Sequence, residues 1–280
     1  MAQYQKTGYL HSDFKMFHLV DTNRKEFSYH YHDFHKILIF LSGDVTYTIE
    51  GRSYDLKPND IVFVNAGEVH HPAIHSNAPY ERIIIYVSPD FLHTYQDSTY
   101  HLGFCFQQVH KEQSHVLRIN SFPGSKLDAV IKELDASLHD TDYANELHHS
   151  LLFLEFMVQL NRAAIHDNIH YISNSASNQK ILDVLTYVNS HLTEELSVDF
   201  LANRFFISRY HLMHTFKEET GYTIGSYLST KRLILAKELI ADGMPITQAC
   251  FECGFQNYST FSRAFKKHFG MSPRELGSLR

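Results

Sequence analysis

This chain of 280 residues lacks most of the marks that would assign it to a membrane, to secretion or to a known catalytic apparatus. It has no run of about 18 uninterrupted apolar residues, which argues against a membrane-spanning helix. Its first residues, Met1-Ala2-Gln3-Tyr4-Gln5-Lys6, offer no apolar stretch for a signal peptide. Three cysteines, an odd number, do not make a disulfide framework. These absences lead us to expect a cytoplasmic protein. No glycine-rich phosphate loop, serine–histidine–aspartate order or paired carboxylates stand out, so no enzyme class suggests itself and no cofactor is expected. Positive charge is scarce as well, with 25 Lys and Arg against 31 Asp and Glu, a net charge of −6. The deficit is uneven. Residues 1–174 hold 13 basic and 21 acidic side chains, whereas residues 175–280 hold 12 and 10. Arg263, Lys266 and Lys267 fall together on one helical segment. Nucleic-acid binding needs a positive face more than a positive chain, and a weak excess predicts modest affinity per module, which dimerisation would raise.

What is present is a repeat. Phe216-Lys217-x-x-x-Gly221 returns 49 positions later as Phe265-Lys266-x-x-x-Gly270. At the same spacing Leu212 returns as Phe261, Ser208 as Asn257, Phe206 as Phe255 and Leu201 as Cys250. Each copy reads as a short helix, a tight turn and a second helix closed by glycine, a helix-turn-helix. In the first, residues 198–205 support, with Phe200 and Leu201 inward, and Phe206-Ile207 turns. Ser208 suits the N-cap, since its hydroxyl can accept a backbone N–H. Leu212 and Phe216 anchor the helix, while Tyr210, Met213, His214 and Lys217 share the opposite face. In the second, Ile246 to Cys253 support, Gly254 turns, Asn257 caps, and Phe261 and Phe265 anchor. Ser259, Ser262, Arg263 and Lys266 take the free face. Arg263 can donate two hydrogen bonds to guanine, and the lysines suit phosphate. Residues 225–241 read as one connecting helix with Leu228, Leu235 and Leu239 inward, a rod of roughly 25 Å. Successive major-groove faces lie roughly 34 Å apart, so the pair suits adjacent stretches of double-stranded promoter DNA.

Residues 179–280 resemble the DNA-binding domain of the AraC/XylS family of bacterial transcription regulators. The resemblance is carried by Leu201-Ala202, Ser208, Leu212, Phe216-Lys217, Gly221, Tyr227-Leu228, Arg232, Ala236 and Leu239. It continues through Ile246, Ala249, Gly254-Phe255, Phe261-Ser262-Arg263, Phe265-Lys266, Gly270 and Ser272-Pro273. It implies base contacts from Tyr210, Met213 and His214 in the first unit, and from Tyr258, Ser259, Thr260, Ser262 and Arg263 in the second. Two departures stand out. Leu276-Gly277 replaces the family's usual aromatic–arginine pair, and Met213 and His214 replace commoner polar or basic residues. The family more often activates than represses, which would make RNA polymerase a partner. Many members control carbohydrate use, which puts a sugar first among effector classes.

The N-terminal part alternates in strand fashion. Ile37-Leu38-Ile39-Phe40-Leu41, Val45-Thr46-Tyr47-Thr48-Ile49, Ile61-Val62-Phe63-Val64 and Arg82 to Val87 read as strands of a sandwich or barrel. Residues 1–25 show no period and read as an arm. His30-Tyr31-His32 with Gly43, then Pro58-Asn59-Asp60 and Asn65-Ala66-Gly67-Glu68-Val69-His70, resemble the two motifs of cupins, small jelly-roll barrels. Many cupins bind a metal through three histidines and a glutamate. His30, His32 and His70 match the histidines, but Lys36 occupies the glutamate position. A cation there opposes a divalent metal. The remaining functional reading is an effector pocket with His30, His32, Lys36 and His70 near its mouth. Other histidine pairs, such as His148-His149, and Cys250-x-x-Cys253 are read as solvated surface and core packing respectively. After residue 120 the period becomes helical, at Leu127, Val130, Ile131, Leu134 and Leu138, then at Leu147, Leu151, Leu154 and Val158.

The expected organisation is therefore a cupin-like jelly-roll β-barrel with dimerisation helices over 1–165, a linker over 166–178, and an all-α domain with two helix-turn-helix units over 179–280. The expected function is a homodimeric, effector-responsive DNA-binding regulator without a membrane part. The alternatives are a cupin-type metal-dependent isomerase or dioxygenase, and a DNA-binding dimer that responds to no effector.

Overall fold

In the computed structural model the described residues are 5–6, 10, 12–22, 26–119, 122–165, 169–174 and 178–278. They fall into two compact units, one over Lys6–Ala176 and the other over Ser177–Arg280 together with Met1–Gln5.

The first unit runs β1 (Gln5–Lys6), β2 (Phe14–Asp21), β3 (His30–Tyr31), β4 (His35–Ser42), β5 (Val45–Ile49), β6 (Arg52–Asp55), β7 (Ile61–Val64), β8 (His70–Ile74) and β9 (Tyr80–Val87). It continues with α1 (Pro89–Thr94), α2 (Phe104–Glu112), β10 (Val116–Ile119), α3 (Lys126–Ala136), α4 (Asn145–Ile165) and β11 (Ile169–Tyr171). The strands form two sheets, ordered β1-β3-β8-β5-β6 and β11-β10-β7-β4-β9-β2. The registers resolved between neighbouring strands are antiparallel.

The run Ile37 to Leu41 is continuously apolar because β4 is covered on both sides. Side chains alternate across a strand. Leu38 and Phe40 therefore join Tyr47, Tyr54, Val62 and Ile84 between the sheets. Ile37 and Ile39 point the other way, into a core shared with Ile83, Ile85 and the helices through Leu134, Phe153, Phe156 and Leu160. Each such side chain, taken fully out of water, contributes roughly 1.5–3 kcal/mol. The same alternation has a consequence for charge. Lys36 is in phase with Leu38 and Phe40, and the register Lys36↔Tyr86, Leu38↔Ile84, Phe40↔Arg82 sets Arg82 and Tyr86 on the same inner face.

Several expectations change. Phe14–Asp21 is no arm: it pairs along its whole length with β9, and it shows no clean alternation because the apolar Leu19 and Val20, on opposite faces, are both exposed. Within 166–178, Ile169–Tyr171 extends the six-stranded sheet beside β10, while 166–168 and 175–177 lie outside the described residues. His149 is not simply solvated, since its ring stacks on Phe14 at 5.2 Å and bonds Ser137 Oγ at 2.6 Å. On α4 the buried residues are Leu152, Phe153, Phe156, Met157, Leu160 and Asn161, whereas Leu147 and Leu151 are exposed.

The second unit is helical: α5 (Gln179–Ser190), α6 (Val198–Arg204), α7 (Arg209–Thr220), α8 (Ile224–Ala241), α9 (Ile246–Glu252), α10 (Tyr258–Phe269) and α11 (Pro273–Gly277). The inward residues of α8 include Tyr227, Leu228, Leu233, Ala236 and Ile240, with Leu235 and Leu239 only half-buried. Cys250 and Cys253 are free thiols in the core around Phe261 and Phe265. No helix of the described residues is long and apolar enough to cross a membrane.

Candidate functional sites

The two helix pairs are built alike. Ser208 Oγ accepts from His211 N at 3.3 Å, and Asn257 Oδ1 accepts from Thr260 N at 3.0 Å, so each second helix starts on a side-chain cap. Gly221 and Gly270 close α7 and α10 in the left-handed region at φ 74° and 75°, each N–H bonding back to Lys217 O or Lys266 O.

The repeat is not uniform. Phe205 N→Leu201 O and Ile207 N→Ala202 O recur as Cys253 N→Ala249 O and Phe255 N→Cys250 O, a spacing of 48. Leu212 N→Ser208 O recurs as Phe261 N→Asn257 O, a spacing of 49. The second turn is thus one residue longer. Leu201 corresponds to Ala249 rather than Cys250, and the left-handed Phe206 corresponds to Gly254 rather than Phe255. This explains why Phe206 is 90% exposed while Phe255 is buried. A second correction concerns Phe200. It is 42% exposed and lies beside Tyr187, at 6.1 Å between ring centres, instead of pointing inward. Gly254 has a steric reason as well. At φ 84°, a Cβ there would lie 2.9 Å from the carbonyl oxygens of Leu192 and Thr193, which is too close. Arg232 holds that segment by donating to Leu192 O at 2.7 Å and Glu194 O at 2.6 Å.

Leu212 and Phe216 are buried under α7, and Phe261 and Phe265 under α10. The opposite face of α7 exposes Tyr210, Met213, His214 and Lys217. His214 is paired with Glu218 at 3.2 Å, an acidic neighbour on this face that the sequence reading passed over. On α10, Ser259, Thr260, Arg263 and Lys266 are exposed and Ser262 is half-buried. Tyr258 is also half-buried, its ring 6.1 Å from Phe261. Arg263 is exposed, and its Nε donates to Ser259 O at 3.2 Å.

In the first unit a cavity of about 380 Å³ opens between the sheets, and His30, His32, Lys36, Tyr47, Tyr80, Arg82 and Tyr86 contribute to its wall. His30 is half-buried, and His32, Lys36 and His70 are buried rather than at a mouth; His30, His32 and Lys36 line the cavity, whereas His70 does not and adjoins it through Lys36. His30 Nδ1 donates to Ser28 O at 2.8 Å and His70 Nδ1 donates to Glu68 O at 3.0 Å. These bonds fix the tautomer and turn both Nε2 lone pairs outward from the strand. Burial, then the nearby Lys36, lowers His30 to about 4 and His70 well below the ordinary histidine value, so both are neutral. Lys36 Nζ donates to Tyr47 Oη at 2.8 Å and faces His70 Nε2 at 3.4 Å. Burial, with Arg82 as a second cause, brings its ammonium down to about 7. Arg82 is neutralised by Asp21 Oδ2 at 2.6 Å and lies over the Tyr80 ring, 3.9 Å from its centre. Sequence reasoning missed Arg82, Tyr47, Tyr80 and Tyr86. The available signal was their two-residue phase with the inward residues of β4, β5 and β9.

The ligating nitrogens of His30, His32 and His70 lie within 4.8 Å of one another, close enough for one ion. The set does not fit a divalent metal, however. The His70 lone pair that a metal needs faces the Lys36 nitrogen, and the ammonium would stand beside the ion.

A barrel with a polar cavity, followed by two capped helix-turn-helix units, defines a class of protein that binds a small molecule in one part and DNA in another. The model of an AraC-like ligand binding domain matches residues 17–157, and that of a helix-turn-helix domain matches 201–278. The chain belongs to the AraC family of transcription regulators. It is similar to the HTH-type transcriptional activator RhaS of Shigella sonnei (strain Ss046), 25% identical over 252 residues, covering 90% of this chain and 87% of the relative. RhaS of Escherichia coli (strain SMS-3-5 / SECEC) is 26% identical over 257 residues with the same coverage. Among solved structures, ToxT from Vibrio cholerae is 15% identical with a TM-score of 0.38, covering 96% of this chain and 99% of that one.

Proposed function

We propose that this regulator is a cytoplasmic transcription activator, without enzymatic activity, whose residues 179–280 read promoter DNA and whose residues 1–165 sense a small effector. The observation that carries the DNA-reading sites is the pair of capped helices, each with buried anchors on one face and exposed polar side chains on the other. In this reading Tyr210, Met213 and His214 meet base edges in one stretch of major groove. Tyr258, Ser259, Thr260, Ser262 and Arg263 do so in the next. Lys217 and Lys266 bind phosphate, which positions the protein without reading sequence. The 18 residues of α8 make a rod of roughly 27 Å, commensurate with adjacent grooves roughly 34 Å apart. The two units contribute unequally. The α10 face carries Arg263, Lys266 and Lys267, whereas Glu218 offsets part of the charge on α7.

The names of the relatives favour activation, and with it RNA polymerase as a partner. The exposed Leu147 and Leu151 on α4 favour a homodimer, and a self-complementary apolar strip suits a two-fold interface. The effector site comprises His30, His32, Lys36 and His70, with a sugar as the first class to consider. The histidine cluster is the observation that favours the rival, a metal-dependent enzyme. Stoichiometric metal in the purified protein would support that rival.

The DNA-reading assignment is tested with Arg263→Ala. Its affinity for a target site should fall by roughly 1–3 kcal/mol, and preference at one base pair should relax. Unchanged affinity and unchanged preference would remove Arg263 from the reading set.

A further inference from the structure

The cavity of the barrel holds a lysine that no acid contacts: of the acids near its wall, Asp21 is paired with Arg82, and Glu26 is exposed and makes no ion pair with Lys36 among the described residues. Lys36 is buried, and among the described residues its polar partners are the hydroxyl of Tyr47 and the imidazole of His70, both uncharged. The second cation on the wall, Arg82, is already neutralised by Asp21. An ammonium taken out of water with neutral partners alone is costly, and an incoming anion relieves that cost. A neutral ligand would displace solvent and leave the charge uncompensated.

The rest of the wall asks for hydroxyl groups. His30 offers a lone pair at Nε2, because its Nδ1–H is committed to Ser28 O. The Tyr80 hydroxyl is buried, with no hydrogen-bond partner among the described residues. A buried polar atom of this kind calls for a ligand group or a water. A plain aliphatic acid would leave both unserved. Phe27 and Tyr86 add apolar faces, and about 380 Å³ accommodates a single small ring.

We propose that the effector is a sugar acid: a small polyhydroxylated monocarboxylate whose carboxylate rests on Lys36 and whose hydroxyls meet His30 Nε2 and the Tyr80 hydroxyl. The inference deepens the effector-site reading and rests on it. Lys36 thereby supplies, from within the barrel, the positive charge that a bound metal would bring. One unmatched cation selects a carboxylate over a phosphate monoester, which carries roughly −1.5 to −2 at pH 7.

The test is calorimetric titration of the full chain at pH 7 with galacturonate, glucuronate and gluconate. Galactose and glucose serve as neutral counterparts, and glucose 6-phosphate as the phosphate arm. At least one acid should bind roughly 30-fold or more tighter than its neutral counterpart. Lys36→Met should remove that advantage, weakening the acid by roughly 30-fold or more so that it binds no tighter than its neutral counterpart does to the same variant, since losing one member of a buried charge pair typically costs that factor or more. Tyr80→Phe, which keeps the ring, should weaken the acid roughly 2- to 12-fold. A neutral sugar binding as tightly as the acids, or acid binding unaffected by Lys36→Met, overturns the assignment and leaves the cavity as an effector site. Tighter binding of the phosphate overturns the choice of carboxylate. No binding by any acid or sugar overturns the inference and the sugar-sensing reading together.

Discussion

A lysine enclosed by imidazoles and tyrosines is a local cost that the barrel carries at one position, and it makes the protein sensitive to pH there. Burial holds Lys36 at about 7 in the folded chain, against an ordinary value of about 10.4 when unfolded. Below pH 7 both states are protonated and the fold bears the whole cost of the buried ammonium. Between about 7 and 10 the folded state sheds the proton that the unfolded state keeps, so stability rises with pH across that window. Lys36→Met should therefore raise the melting temperature by a few degrees at pH 6, and the gain should shrink toward pH 10. Equal melting temperatures for both proteins at every pH would contradict this picture of the site. The sequence exposes this residue only partly. Lys36 is marked by its place in the cupin-like pattern and by its phase with Leu38 and Phe40. Its neighbours Arg82 and Tyr86 lie more than forty positions further along the chain, and Asp21, which neutralises Arg82, lies in a strand whose exposed Leu19 and Val20 break its alternation.

At the scale of elements, legibility followed burial and capping. Strands covered on both faces, such as β4 and β7, announce themselves as unbroken apolar runs. Recognition helices announce themselves through Ser208, Asn257, Gly221 and Gly270, because caps act locally and leave a local signature. Edge strands such as β6 and β11 do not, since their pairing partners set them and their own composition is neutral. The change in repeat from 48 to 49 was equally hidden. Aligning Phe206 with Phe255 matches letters, but the backbone matches Phe206 with Gly254, where the left-handed turn falls. Helix α4 shows leucines at helical spacing in the sequence, and the structure separates its faces. Phe153, Phe156 and Leu160 enter the core, while Leu147 and Leu151 are 61% and 56% exposed. If that strip joins two subunits, Leu147→Asp with Leu151→Asp should convert a dimer into a folded monomer in sedimentation equilibrium. A double variant that remains dimeric would place the interface elsewhere.

For the molecule as a whole, the charge distribution and the two-unit organisation carry the functional account. A net charge of −6 is compatible with DNA binding because the acidic excess lies in the barrel-bearing part, leaving the helical unit mildly basic. Modest basicity also predicts a shallow contribution from each unit, so that specificity depends on both units engaging together. Both readings converge on one experiment: selection of fragmented source-organism DNA on the purified full chain at physiological salt, followed by sequencing. A shared motif should emerge with two half-elements about one helical turn apart, and Arg263→Ala should blur one of them. Retention of DNA without any common motif, for the full chain and for the 175–280 fragment alike, would contradict the claim that this protein reads sequence.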